Sequence, residues 1–153
     1  MTEMANDKNT ASSNVVYGWS DLFSPDYEGQ GPALIGSRCS TCGYIAFPSL
    51  QVCPTCLTAD TMSRHVLSRR GTLENFSVVR QAPKGFQAPY IQAFIRLPEG
   101  LAIFTHLVGV NPDEDSIEIG SIWQVTAAVI RTRDDGQPLT GYAFEPLRER
   151  NNG

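Results

Sequence analysis

All four cysteines of this 153-residue chain fall in two Cys-x-x-Cys pairs, Cys39–Cys42 and Cys53–Cys56, within RCSTCGYIAFPSLQVCPTCLTAD. A two-residue spacer lets a tight knuckle aim both sulfurs of a pair at one point. Gly43 follows the first pair, where a positive φ is often required, and Pro54 stiffens the second turn. Four thiolates at about 2.3 Å in a tetrahedron satisfy Zn²⁺ and leave no open coordination position. Such a site is structural, because metal binding folds a segment too short to build its own core. The segment 44–52 (YIAFPSLQV) is expected to cross between the knuckles as a short hairpin. A thioredoxin-type redox pair would stand alone at the start of a helix. Two disulfides would suit a secreted chain. Iron in rubredoxin geometry would use the same four sulfurs, so zinc is the expectation and iron its alternative.

The remaining residues organise around that staple. Residues 1–14, MTEMANDKNTASSN, are polar and small and read as a disordered lead-in. They have neither a basic stretch nor an apolar run, so a secretory signal is not expected. No apolar run reaches the roughly 18 residues of a membrane span. A cytoplasmic location, where thiols stay reduced, is the resulting expectation. In 15–37, Tyr17, Trp19, Leu22 and Phe23 recur at roughly helical spacing before Pro25 and three glycines, which predicts a short amphipathic helix and a loop. Residues 38–63 form the zinc ribbon, and 64–150 a second unit.

From Gly71 the pattern is that of strands: GTLENFSVVR, YIQAFIRL, LAIFTHLVGV, WQVTAAVIRTR and GYAFEP. Pro98-Glu99-Gly100 and Asp134-Asp135-Gly136 supply hairpin turns. NPDEDSIEIG, between the third and fourth strands, reads as a single helical turn capped by Asn111 with Pro112 in its first position. No connection is long enough for a full crossover helix, which excludes a doubly wound sheet. A mainly β chain with a five-stranded OB-type barrel is the predicted architecture.

The net charge of −4 and pI near 5.1 argue against a dedicated nucleic-acid binder. The charge is uneven, however. Seven cations against two anions between Arg38 and Arg96 leave a local balance of +5, and arginine outnumbers lysine ten to two. Arginine suits bidentate contact with phosphate or carboxylate.

The RCSTCG and CPTC knuckles, the FPS between them, GTLENFSVV, PKGFQAPY, RLPEG, the IEIG turn and the closing FEP follow one another across residues 15–147. In this order they resemble a family that joins a rubredoxin-like zinc ribbon to an OB-fold and accompanies thiolases and related acyl-CoA enzymes. Within it the chain is most similar to small subunits of thiolases acting on aromatic β-ketoacyl-CoA in toluene breakdown. The resemblance implies structural Zn²⁺ on Cys39, Cys42, Cys53 and Cys56, a catalytic thiolase-type partner, and contact with acyl-CoA or CoA. Its pyrophosphate and 3′-phosphate suit arginines and backbone amides. The loop Pro83–Tyr90 lies between the first two barrel strands, where OB-folds commonly meet ligands, so Arg80, Lys84, Phe86 and Tyr90 are the candidate contacts.

Thiolysis needs an activated cysteine and a second acid or base. With the cysteines committed to metal, only His65 and His106 remain, and neither lies in a nucleophile motif. Both read as structural or surface residues. The chain is therefore not expected to catalyse alone, and its enzymatic role would be as part of an acyl-CoA C-acyltransferase complex. Two alternatives stay open. One is a stand-alone acyl-CoA-binding module. The other is a single-stranded nucleic-acid-binding OB protein with Phe76, Phe94 and Phe104 as platforms, although on alternating strands these three are expected in the core.

Overall fold

The computed structural model describes residues 15–147. The lead-in expected over 1–14 lies outside the described residues, as do the last three positions of the expected 64–150 unit. In chain order the strands are β1 (Val16–Tyr17), β2 (Phe23–Ser24), β3 (Ala33–Cys39), β4 (Ile45–Ala46), β5 (Met62–Val66), β6 (Arg70–Val79), β7 (Tyr90–Arg96), β8 (Ala102–Leu107), β9 (Ile122–Thr132) and β10 (Pro138–Pro146). No helix among the described residues is long and apolar enough to cross a membrane.

The last five strands close on themselves in the order β6–β7–β8–β10–β9 and back to β6. Every pairing in this ring is antiparallel except β8 with β10. This is the expected five-stranded OB-like barrel. Alternation fills its interior: Ile91, Ala93 and Ile95 of β7 and Ile103 and Leu107 of β8 are buried with Leu73, Trp123, Val125 and Phe144. Fully burying one such aliphatic or aromatic side chain contributes about 1.5–3 kcal/mol. Where β6 turns into the ring, Gly71 is packed so tightly that a Cβ there would sit 2.5 Å from Ile95 Cγ2 and 2.7 Å from the Arg96 carbonyl oxygen. Between β8 and β9 a single 3₁₀ turn, Glu114–Ser116, stands where a helical turn is expected. Asp113, not Asn111, caps it, with Oδ1 accepting from Ser116 N at 2.9 Å. A carboxylate three residues before an amide has the reach an N-cap needs.

The predicted N-terminal helix is absent, and the segment forms short strands instead. The β-favouring Val16–Tyr17 runs parallel to β10 at Leu139 and Thr140. Gly18 N donates to Thr140 O at 2.7 Å, and Trp19 turns the chain with a left-handed φ of 56°. Phe23 then pairs with Leu34 on β3. The aromatic spacing that mimics a helix comes from separate anchors on two different sheets.

β3 also carries β4 and β5 on its edges, with Arg38 opposite Ile45 and Cys39 opposite Met62. The hairpin expected inside 44–52 is not formed, because Ile45–Ala46 pairs back onto β3. Val52 bridges forward to Ala59 instead. The buried Ser37 hydroxyl pins the crossing segment, accepting from Leu50 N at 2.9 Å. Phe23, Leu34 and Leu67 join the barrel interior in one core, and Ile45 and Phe47 pack against it.

Candidate functional site

The first knuckle ends β3. Gly43 N donates to Cys39 O at 2.9 Å with φ at 83°, a left-handed turn that glycine adopts without strain. The second knuckle repeats the turn with a leucine: Leu57 N donates to Cys53 O at 2.7 Å, and φ is 58°. Its side chain stands 78 % exposed. The knuckles bring all four sulfurs within 4.8 Å of one another. Cys39 Sγ lies 3.9 Å from Cys56 Sγ, and Cys42 Sγ lies 3.6 Å from Cys53 Sγ. Sulfurs about 2.3 Å from a central ion in a tetrahedron stand about 3.8 Å apart, so this donor set fits Zn²⁺ or tetrahedral iron. These separations are far longer than the roughly 2.05 Å of a disulfide, and the four cysteines are free.

Local bonding ranks the thiols. The Thr61 hydroxyl, 3.4 Å from the Cys39 sulfur, and the Cys42 backbone amide lower Cys39 from 9.0 to about 5. Sharing a hydrogen bond with the Cys42 sulfur, together with burial, raises Cys56 to about 12. Cys39 is thus prepared as a thiolate, whereas Cys56 would need a cation beside it to reach that form.

The loop residues divide into two groups. Phe86 stacks on Tyr90 with ring centroids 5.4 Å apart, and Tyr90 stacks on His106 at 4.9 Å. Arg80 instead forms a bidentate pair with Glu114 at 2.8 and 3.1 Å. Lys84 is highly exposed and 3.9 Å from Asp134 Oδ1. Other cations of the Arg38–Arg96 segment are also engaged: Arg96 grips Glu74, Arg69 Nε donates to Pro32 O, and Arg64 lies over the Tyr27 ring. His65 is half-buried on β5, away from any recognisable acid–base set.

Sequence reasoning missed an aromatic cleft on the outer face of β7, β8 and β10. Trp19, Phe86, Phe104, His106 and Tyr142 form its walls, with Gln92 and Ile130 between them, around a volume of about 210 Å³. Phe94 and Phe104, expected in the core, are 39 % and 48 % exposed and pack on each other at 5.3 Å. They are out of phase with Ile91, Ala93 and Ile95 on β7 and with Ile103 and Leu107 on β8. That phase was the signal available in the sequence. Phe76 is partly buried against the core. Tyr142 Oη donates to Phe104 O at 3.1 Å, and burial holds His106 below its ordinary pKa of 6.5.

A model of the OB-fold domain described as "ChsH2, C-terminal OB-fold domain" matches residues 65–127. A DUF35 domain-containing scaffold protein of Methanocaldococcus jannaschii is 40% identical over 119 residues, covering 74% of this chain and 82% of its own. The chain belongs to the DUF35 family. A second relative, benzoylsuccinyl-CoA thiolase subunit BbsA of Thauera aromatica, is 33% identical over 145 residues, 93% of this chain and 96% of its own. Among solved structures, the Ltp2-ChsH2(DUF35) aldolase superposes with a TM-score of 0.59 at 29% identity, covering 74% of this chain and 84% of that one. The OB-like barrel is therefore shared with DUF35 proteins.

Proposed function

We propose that this DUF35 protein is the non-catalytic small subunit of a heteromeric thiolase (an acyl-CoA C-acyltransferase) acting on aromatic β-ketoacyl-CoA, with benzoylsuccinyl-CoA as the candidate substrate. One observation carries the reading: a chain matched over nearly its whole length by a thiolase subunit gathers every cysteine it owns around one point. No thiol is left over to attack a thioester.

Cys39, Cys42, Cys53 and Cys56 would hold structural Zn²⁺, which would tie the end of β3 to the second knuckle through their thiolates. The catalytic nucleophile belongs to the partner. This chain supports assembly and helps to hold acyl-CoA or CoA through the loop Pro83–Tyr90. Lys84 offers a mobile charge for phosphate, since its exposed contact with Asp134 is weak. Arg80 must exchange Glu114 for phosphate. Phe86 presents its ring to the bound molecule, while Tyr90, stacked between Phe86 and His106, holds the loop down. The cytoplasm is the compartment in which such thiolates stay reduced.

Purification of the untagged protein from its host, followed by mass spectrometry, tests the reading. A comigrating larger chain with thiolase activity is expected. A lone monomer that binds acyl-CoA would replace it with the stand-alone module. The nucleic-acid alternative draws on one observation, the exposed Phe94–Phe104 pair on an OB barrel. An affinity for single-stranded DNA that falls steeply with salt is its signature, and the −4 net charge opposes it.

A further inference from the structure

The cleft on the outer face of the barrel shares Phe86 with the loop proposed to meet acyl-CoA, while Trp19, Gln92, His106 and Tyr142 have no part in that reading. Its lip is Trp19, a bulky side chain held with φ at 56°, where L-residues other than glycine are strained. The indole lies against Gly141, whose hydrogen is the reason it fits: a Cβ there would come within 2.6 Å of Trp19 Cζ3. Phe86 and His106 also line the cleft, and Tyr90 stacks between them with ring contacts of 5.4 and 4.9 Å. A strained lip and a pre-stacked wall keep an apolar slot open.

Gln92, Thr105, His106 and Tyr142 bring polar atoms to that surface; the Thr105 and Tyr142 hydroxyls donate to the carbonyl oxygens of His106 and Phe104. Gln92 and His106 are paired across β7 and β8, and both side chains line the slot. Among the described residues, neither the Gln92 amide nor the His106 ring has a hydrogen-bond partner. Both side chains are half-buried, so their free polar atoms open onto the slot. No carboxylate, lysine or arginine is among the lining residues, and burial keeps His106 neutral near pH 7. A charged ligand would thus find no counterion here, whereas an uncharged one would find a donor and an acceptor. The size agrees, since a dry cavity of about 150 Å³ already holds benzene. About 210 Å³ leaves room for one ring and a short substituent.

We propose that this cleft binds the aromatic carbonyl group of a small ligand, with its ring between Trp19 and Phe86 and its carbonyl oxygen accepting a hydrogen bond from the Gln92 amide. The site lies on this chain alone, so the inference does not depend on a partner enzyme. Failure of copurification would leave it standing, and its own failure would leave the subunit reading untouched.

The test uses the isotopically labelled full chain and acetophenone as probe. Two-dimensional NMR follows the Trp19 indole N–H, the Gln92 side-chain amide and the His106 ring. All three signals are expected to shift together and saturate, with Kd on the order of 1 mM for so small a ligand. Ethylbenzene, which lacks the carbonyl, should bind about fivefold more weakly, the worth of one neutral hydrogen bond. Gln92→Leu, checked for folding by its spectrum, should bring acetophenone to the ethylbenzene level. Shifts at Trp19 that never saturate, equal affinity for the two probes, or a full acetophenone preference surviving in Gln92→Leu would each overturn the proposal.

Discussion

Replacing Gly141 by alanine tests whether Trp19 is held by the packing described above. The new methyl would occupy space filled by the indole, 2.6 Å from Cζ3, and would also approach Ile130 Cγ1 at 3.3 Å. Strand β10 is locked between β9 and β1, so the ring must leave. Trp19 is 38 % exposed, which leaves about 150 Å² of a tryptophan covered. At about 25 cal/mol per Å², displacing it costs at most about 4 kcal/mol. Release of the left-handed backbone at residue 19 returns about 1 kcal/mol. Alanine in place of glycine in a strand returns about 0.5–1 kcal/mol. The net expectation is a loss of about 2 kcal/mol for Gly141→Ala, read by urea denaturation followed by circular dichroism. The decisive arm is the double mutant. On a Trp19→Ala background the clash has no object, so Gly141→Ala should be neutral or stabilise by about 0.5 kcal/mol, a coupling of about 2–3 kcal/mol. An equal loss in both backgrounds would refute the reasoning and place the cost in the strand itself.

Cys56→Ser should release the metal and unfold the ribbon, lowering stability by several kcal/mol; elemental analysis and thermal denaturation check this, and metal retention with an unchanged melting temperature would contradict the staple. In the complex, Lys84→Ala should raise KM for CoA or acyl-CoA severalfold while leaving kcat nearly constant, as loss of uniform binding does. Because burial holds His106 below 6.5, the folded chain binds fewer protons there than the unfolded one. Its contribution to stability is therefore present above pH 6.5 and lost as pH falls through the depressed value. His106→Gln should flatten that part of the stability–pH curve, measured by denaturant midpoints between pH 4 and 8.

How much of the molecule was legible in the chain depended on the range over which each signal acts. The knuckles were legible because Cys-x-x-Cys followed by a left-handed turn is a contact within five residues. The strands from Arg70 to Pro146 were legible because inward and outward positions alternate locally, and five of them with short links leave a barrel as the simplest closure. The stretch Val16–Phe23 was misleading because each aromatic answers to a different distant partner: Trp19 to Gly141, Phe23 to Leu34. Phe94 and Phe104 were misplaced because alternation says which residues share a face but not whether a hydrophobic outer face is covered. Arg80 and Lys84 looked like one cationic patch with the loop, yet Glu114 and Asp134 arrive from other connections to engage them.

The primary structure alone settles the pairing of four cysteines in two close knuckles and the β class, since these follow from residue identity and short spacing. The aromatic cleft and the packing of Phe23 and Leu34 into the barrel core had to wait for three dimensions. They require β1 to meet β10 more than a hundred residues away and β7 to lie beside β8 in one register. Such meetings are selected by the shared core as a whole, and no local stretch of chain encodes them.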